Sequence, residues 1–293
     1  MSIEIIGPEA EALLDWTVLT EALAAGHRLP RAEIGDTFLY RGKDTLLSRA
    51  AWIDGLGVLV KAATIFPGNS AFGVPSINGA VTLYADRDGT LDAVVDFHLV
   101  TKFKTAGDSL LSARRLARPD SREILLVGAG AVARSMIEAY RSAFPDARFK
   151  VWNRSPAGAQ AMEAPGVTAV DDLEAAVAQA DIICTATMSK EPIVKGAWLR
   201  PGQHLDLIGA YRPDMREVDD EALRRASIFV DSRATTVHHI GEIKDPIARG
   251  VMTEADIVAD FYDLESGAYA RTSADQITLA KNGGGAHLDL MTA

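Results

Sequence analysis

The sequence predicts an α/β protein: a doubly wound parallel sheet with helices on both faces, joined to a split α+β portion. Three observations predict it. From Ile124 onward, short apolar runs alternate with helical stretches, the pattern of a parallel sheet buried on both sides. The first of these runs feeds into a Gly-x-Gly-x-x-Ala string at the mouth of a helix. Ahead of it, β-rich segments are joined by turn residues, which reads as antiparallel pairing.

In chain order, Ile3 to Ile6 reads as a short strand and Trp16 to Gly26 as a helix. Gly57 to Ile65 is an apolar run with Lys61 inside it, broken by Pro67, Gly68 and Asn69. Ala80 to Tyr84 and Leu91 to Phe97 form a hairpin across Asp86-Arg87-Asp88-Gly89. Thr105 to Leu116 reads as a helix, followed by a boundary at Ala117-Arg118-Pro119-Asp120. Next come the strand ILLV from Ile124, a helix from Ala131 to Phe144 and a strand at 147–152. A helix from Asp172 to Ala180 and strands at 181–187, 204–209 and 227–231 complete the alternation. The glycine-rich segment 281–291 is expected to return to the first domain.

The chain has 293 residues, 48% hydrophobic and 24% charged, which fits a soluble globular protein of two domains. No apolar run approaches the ~20 residues of a membrane span. The stretch MSIEIIGPEAEALL carries acids where a secretion signal would carry Lys or Arg. A single cysteine, Cys184, excludes an intrachain disulfide, and a reducing, cytoplasmic compartment is expected. Cys184 itself reads as a buried small hydrophobe. The net charge of −10 disfavours nucleic acid or an anionic membrane as partner. No His, Cys or Glu cluster has metal-ligand spacing.

In ILLVGAGAVARS, Gly128, Gly130 and Ala133 follow a strand and open a helix. Gly128 permits the tight turn, Gly130 lets the backbone approach a pyrophosphate, and Ala133 lets helix and strand pack closely. Ala131 and Val132 sit in the first turn of that helix, whose N-terminus attracts phosphate. Arg122 to Ser155 is thus expected to form a dinucleotide-binding βαβ unit of a Rossmann-type domain. The position that selects the cofactor lies ~20 residues on, at the end of the second strand. There the sequence reads Trp152-Asn153-Arg154-Ser155. No carboxylate repels a 2′-phosphate, and Arg154 can pair with one. NADP(H) is expected, with NAD(H) as the alternative cofactor; a solvated Arg154 is the plainer reading. Thr185, Ala186, Thr187 and Met188 end the third strand, and Ile208 and Gly209 follow the next. Ligands lie at such strand ends, so these residues are expected on the nicotinamide side, strand-end packing being the alternative.

Several charged residues stand in the first portion. Lys61 is either functional or an edge-strand lysine facing solvent, since a lysine inside a buried strand is costly. Lys102 and Lys104 would share one face of a strand, and either could bind a carboxylate or simply be solvated. His287 and Asp289 could do acid–base work. His238 and His239 read as loop or helix-cap residues, and Arg31 carries no signal of its own.

At this point a resemblance is visible. VKAATIFPGN (60–69), PSINGAVTLYADRDGTLDAVVD (75–96), KTAGDSLLSARRLA (104–117) and VGAGAVA (127–133) carry it. So do VWNRSP (151–156), CTATMSKEPI (184–193), IGAYRPDMREVDD (208–220) and FVDSR (229–233). Over nearly its whole length the sequence resembles the ornithine cyclodeaminase/μ-crystallin family. The resemblance implies a substrate-binding and dimerisation domain over 1–117, completed by 272–293, around an NADP-binding Rossmann domain at 118–271. It implies a homodimer, Lys61 beside the substrate near the hydride-transfer site, and Arg31 and Lys104 on the substrate carboxylate. It places Asn153, Arg154 and Ser155 on the family's NADP-selecting loop.

Two departures shape the expected activity. The family's carboxylate-binding arginine, in an RTA motif, is here Lys104 in KTA, a point charge rather than a fork. The catalytic aspartate of cyclodeaminases, in a GADxPG-like motif, is here Tyr211, with Asp214 three residues along. Imine reductases of the family also lack that aspartate. The resemblance therefore implies NADPH-dependent reduction of Δ1-pyrroline-2-carboxylate to L-proline, with the six-membered Δ1-piperideine-2-carboxylate as a further substrate. An ornithine cyclodeaminase or amino-acid dehydrogenase on the same scaffold is the second reading. A non-catalytic NADPH-binding protein is the third, because the family contains a crystallin.

Overall fold

The computed structural model describes residues 3–293. They form two compact units: residues up to Lys104 together with Gly285–Ala293, and Thr105–Gly284.

The first unit is built on a six-stranded sheet. Its strands are β1 (Glu4–Ile6), β2 (Glu33–Arg41), β3 (Asp44–Ile53), β4 (Gly57–Ile65), β5 (Ile77–Tyr84) and β6 (Leu91–Asp96). Their spatial order is β1-β6-β5-β4-β3-β2. All pairings are antiparallel except that of β1 with β6. The hairpin expected around Asp86–Gly89 is β5–β6. The β2–β3 hairpin has no counterpart in the sequence expectation, because every residue of β2 is exposed and its pattern shows no buried face. A two-residue turn, Gly42-Lys43, joins the pair, with Gly42 at φ +60° where glycine is favoured.

Helix α1 (Trp16–Gly26) is capped by the Asp15 side chain, which accepts from the Thr17 and Val18 amides. The terminal helix Ala286–Thr292 packs on α1, β3 and β4. Its Leu288, Leu290 and Met291 are buried, each worth roughly 1.5–3 kcal/mol of apolar transfer.

Helix α2 (Phe97–Leu116) starts well before the expected Thr105. Lys102 and Lys104 are thus on a helix rather than a strand, and two helical positions do not share a face. Lys102 reaches Glu11 at 2.8 Å, whereas Lys104 is buried.

The second unit holds eight strands: β7 (Glu123–Val127), β8 (Arg148–Trp152), β9 (Val167–Ala169), β10 (Ile182–Thr185), β11 (His204–Leu207), β12 (Ser227–Val230), β13 (Ile257–Ala259) and β14 (Thr278–Lys281). All pairings are parallel, in the order β13-β12-β14-β11-β10-β7-β8-β9. The chain winds outward in one direction from β7 to β9 and in the other from β10 to β13, with β14 returning to the slot between β11 and β12. The β7/β10 boundary is therefore the switch point at which such sheets bind ligands. Leu125, Val127, Ile183, Leu205, Leu207 and Leu279 are central to its core.

The division between the units differs from 117/118 and 271/272. It falls within α2 after Lys104 and again after Gly284. The physical reason for the second shift is β14: Thr278–Lys281 pairs with β11 and β12, so only the residues from Gly285 onward belong to the first unit.

Candidate active site

The first βα turn of the second unit runs from Val127 into helix α3 (Ala131–Ala143). Gly128 has φ +116°, and a Cβ there would stand 2.6 Å from the Ala186 carbonyl oxygen. Its amide donates to the Trp152 carbonyl at 2.8 Å, and the Ala186 amide donates to Val127 at 2.8 Å. Three strand ends are thereby drawn together at the switch point. Gly130 caps α3 with no side-chain hydrogen bond, and a Cβ there would meet nothing within 4 Å. Ala131 and Val132 open the helix beside that space, and Ala133 is buried against the sheet. This open cradle at a helix N-terminus fits the pyrophosphate of a dinucleotide.

Asn153 donates to the Ser155 carbonyl at 3.0 Å, bending the chain as it leaves β8. Arg154 is exposed between them, and Ser155 precedes the helix Pro156–Gln160. The loops after β10 and β11 share one buried anchor that sequence reading missed. One oxygen of Glu217 accepts from the Thr187 amide at 2.8 Å and its hydroxyl at 2.7 Å. The other accepts from the Gly209 and Ala210 amides at 2.8 and 3.1 Å. A Cβ at Gly209 would stand 2.2 Å from Thr187 backbone atoms, so the two loops approach too closely for any side chain. Thr185 is buried, Ala186, Thr187 and Ile208 are partly buried, and Met188 is exposed. Beneath them, Glu242 accepts from the Glu217 and Val218 amides at 2.6 and 3.1 Å. Burial, reinforced by the Glu217 carboxylate, pushes Glu242 up to about 7.

In the first unit, the position of Lys61 rules out the edge-strand alternative. The residue lies on a central strand, on the buried face shared with Leu59 and Ala63. Its ammonium donates to Asp289 Oδ1 at 2.7 Å and to Thr101 Oγ1 at 2.8 Å, and lies 4.7 Å from the centre of the Phe97 ring. Among the described residues, these take two of its three N–H donors. Burial lowers the Lys61 pKa to about 8; Lys104 and Arg49 add to the fall and Asp289 opposes it.

Three cations converge on Asp289. Besides Lys61, Arg49 Nη1 stands 3.6 Å and Lys104 Nζ 4.0 Å from its second oxygen. Burial alone would raise the Asp289 carboxyl, but Lys104, Lys61 and Arg49 outweigh it and hold it below its usual range. Arg49 is the residue on β3 directly opposite Lys61, and it also grips Asp36 at 2.7 Å. Sequence reading missed Arg49 along with its hairpin. The sequence singled out Asp289 without a partner, and the structure supplies Lys61.

Arg31 lies exposed on the segment between α1 and β2. Tyr211 is also exposed, and Asp214 is held at the surface by Arg212 and Lys190, each at 2.9 Å. Those two cations hold Asp214 at about 2, so it is no reserve of protons near neutrality. His287 is buried edge-on to His27, with ring centres 5.5 Å apart, and His238 sits at the surface 3.4 Å from Glu254. No group of three or more potential metal ligands is present among the described residues.

Residues 54–293 match the ornithine cyclodeaminase/mu-crystallin family. The chain belongs to that family. A curated relative in this family, the Delta(1)-pyrroline-2-carboxylate reductase of Paracoccus denitrificans, is 52% identical over 97% of this chain and 93% of its own. Among solved structures, the Thermococcus litoralis Delta(1)-pyrroline-2-carboxylate reductase in complex with NADH and L-proline superposes with TM-score 0.87 at 25% identity. The match covers 99% of this chain and 95% of that one. An archaeal alanine dehydrogenase dimer with bound NAD gives TM-score 0.89 at 27% identity, covering 100% and 94%. Family membership and the nucleotide fold together make the chain a nicotinamide-dependent oxidoreductase.

Proposed function

We propose that the chain is an imine reductase that converts Δ1-pyrroline-2-carboxylate to L-proline with NADPH, and Δ1-piperideine-2-carboxylate to L-pipecolate. The observation that carries this reading is the buried cationic cluster of Lys61, Arg49 and Lys104 around Asp289. The 52% identical reductase from Paracoccus denitrificans supports the choice of substrate. The absence of a carboxylate at Tyr211 argues against cyclodeamination, which must handle protons on substrate amines.

A nicotinamide held at the switch point would supply the hydride that reduces the imine. The remaining work belongs to the chain's own residues. Lys104 and Arg49, with Arg31, offer cations to the single carboxylate of the substrate. Lys61, with one donor left over, supplies the proton to the imine nitrogen as the C=N bond becomes C–N. A lysine poised near pH 8 by burial is well matched to that transfer. Gly128, Gly130 and the first turn of α3 would hold the pyrophosphate, and the loops tied by Glu217 the nicotinamide half. Steady-state kinetics with both cyclic imines and both cofactors tests the reading; no turnover of either imine overturns it. An amino-acid dehydrogenase is the second reading, favoured by the likeness to alanine dehydrogenase, and predicts NADH oxidation with pyruvate and ammonia.

The preference for NADPH rests on Arg154, exposed at the end of β8 with no acidic neighbour in Trp152–Ser155. Changing Arg154→Ser is expected to reduce the ratio of NADPH to NADH efficiency by ~10- to 100-fold, the worth of one charge-assisted contact. Competition kinetics with both cofactors reads this, and an unchanged ratio removes Arg154 from the selection.

A homodimer is proposed from β2. It is the edge strand of its sheet, exposed along its full length, and carries Phe38, Leu39 and Tyr40 at 47%, 61% and 73% exposure. A long apolar edge of this kind pairs with another chain unless it is blocked. The double change Phe38→Lys with Tyr40→Lys is expected to shift light-scattering mass from dimer to monomer. A wild-type monomer would exclude the proposal. Cytoplasmic residence is proposed from the lone, buried Cys184.

A further inference from the structure

We propose that Asp289 is a positioning residue that aims the Lys61 ammonium and keeps it charged for the reaction. This rests on the reading of Lys61 as proton donor, and extends it to a residue 228 positions away in sequence.

The geometry is specific. Asp289 stands on the first turn of the terminal helix, fully buried, facing β3, β4 and α2 at once. Lys61 and Arg49 are direct cross-strand partners, and like charges opposite one another destabilise a sheet. One carboxylate between them turns that repulsion into attraction. Asp289 Oδ1 and Thr101 Oγ1 hold the ammonium from two sides over the Phe97 ring, so its third N–H has a fixed direction. Asp289 Oδ2 makes no hydrogen bond among the described residues, and Arg49 and Lys104 lie at ion-pair distance from it. The carboxylate therefore binds Lys61 tightly and the other two cations loosely.

The electrostatic consequence follows. Burial, Lys104 and Arg49 all disfavour a charged Lys61, and Asp289 is the group that opposes them. The charged groups around Lys61 are Arg49 with its partner Asp36, Lys104, and Asp289 itself; His287, two residues before Asp289, packs on His27. Without the aspartate, Lys61 becomes a neutral amine at a lower pH and has no proton to give the imine.

The test is the pH–rate profile of imine reduction for the wild type, Asp289→Asn and Asp289→Glu. In the wild type the rate should fall as pH rises through about 8, where Lys61 loses its proton. Removing the anion takes away a force that raises the Lys61 pKa. The falling limb should then move ~1–3 pH units lower in Asp289→Asn, the range for one nearby opposite charge. Activity should recover toward acid pH, and Asp289→Glu should restore the limb. A uniform loss at every pH with the limb unmoved means a purely structural role and overturns the proposal, as does an unchanged profile. Titration of the Lys61 methylene carbons by NMR in 13C-lysine protein reads the same shift without turnover. It thus separates failure of this proposal from failure of the imine-reductase reading. Asp289→Ser, which admits water beside the cations, serves the same measurement should Asp289→Asn not fold.

Discussion

Replacing Lys61 by methionine is expected to lower kcat for imine reduction by ~10²- to 10⁴-fold, the range for loss of a positioned acid. Methionine keeps the unbranched apolar stem as far as Cε, on the face shared with Leu59 and Ala63, and removes the ammonium with its charge and its bonds to Asp289 and Thr101. Affinity for NADPH, measured by fluorescence titration, should hold, because the glycine turn and the Glu217-tied loops lie in the other unit. Asp289 retains Arg49 at 3.6 Å and Lys104 at 4.0 Å as counter-charges. Stability should still fall by about 3–5 kcal/mol, the cost of removing one partner of a buried ion pair. Chemical denaturation reads that loss separately from catalysis. Unchanged turnover would take Lys61 out of the mechanism.

The second large effect is expected at Glu217→Ala. Four donors converge on that carboxylate: the amides of Thr187, Gly209 and Ala210, and the Thr187 hydroxyl. A hydrogen bond to a charged group contributes about 1.5–3 kcal/mol, and an orphaned buried amide costs a comparable amount. Water entering the vacated space would recover part of this, leaving a net loss of about 3–5 kcal/mol in denaturant unfolding. NADPH affinity should fall with it, because the loops after β10 and β11 lose their common anchor. Glu242 should ionise at a lower pH once the Glu217 charge that helps to raise it is gone. Stability and cofactor affinity both at wild-type values would show that the loops hold without the clamp.

What could be read from the sequence was local. The Gly128–Ala133 string sits within one strand–turn–helix, and its conformational demands are written in consecutive residues. The β5–β6 hairpin and helix α1 are likewise announced by their own turn and capping residues. The buried cluster around Asp289 is the opposite case. Lys61 was visible as an anomaly, but its partner comes from the last helix, and no local pattern links two residues so far apart. Arg49 gives no signal because its strand, β3, is half-buried on both faces over most of its length, and its partner β2 has no buried face, so neither alternates. Lys102 and Lys104 were placed on a strand because Phe97–Lys104 is as apolar as one; the tertiary fold made it helix. Glu217 looked like one acid in an acidic stretch, and its worth comes from amides on two other loops.

The position of β14 carries a consequence for how this protein is made. It is the latest strand in the sequence, yet it occupies an interior slot of the sheet, between β11 and β12. During translation those two strands emerge with the edges that will flank β14 still bare, and each is open to neighbouring nascent chains. The sheet can close only once residues 278–281 are available to insert between β11 and β12. Any chain lacking residues 278–281 would carry the whole glycine turn and still expose the edges of β11 and β12.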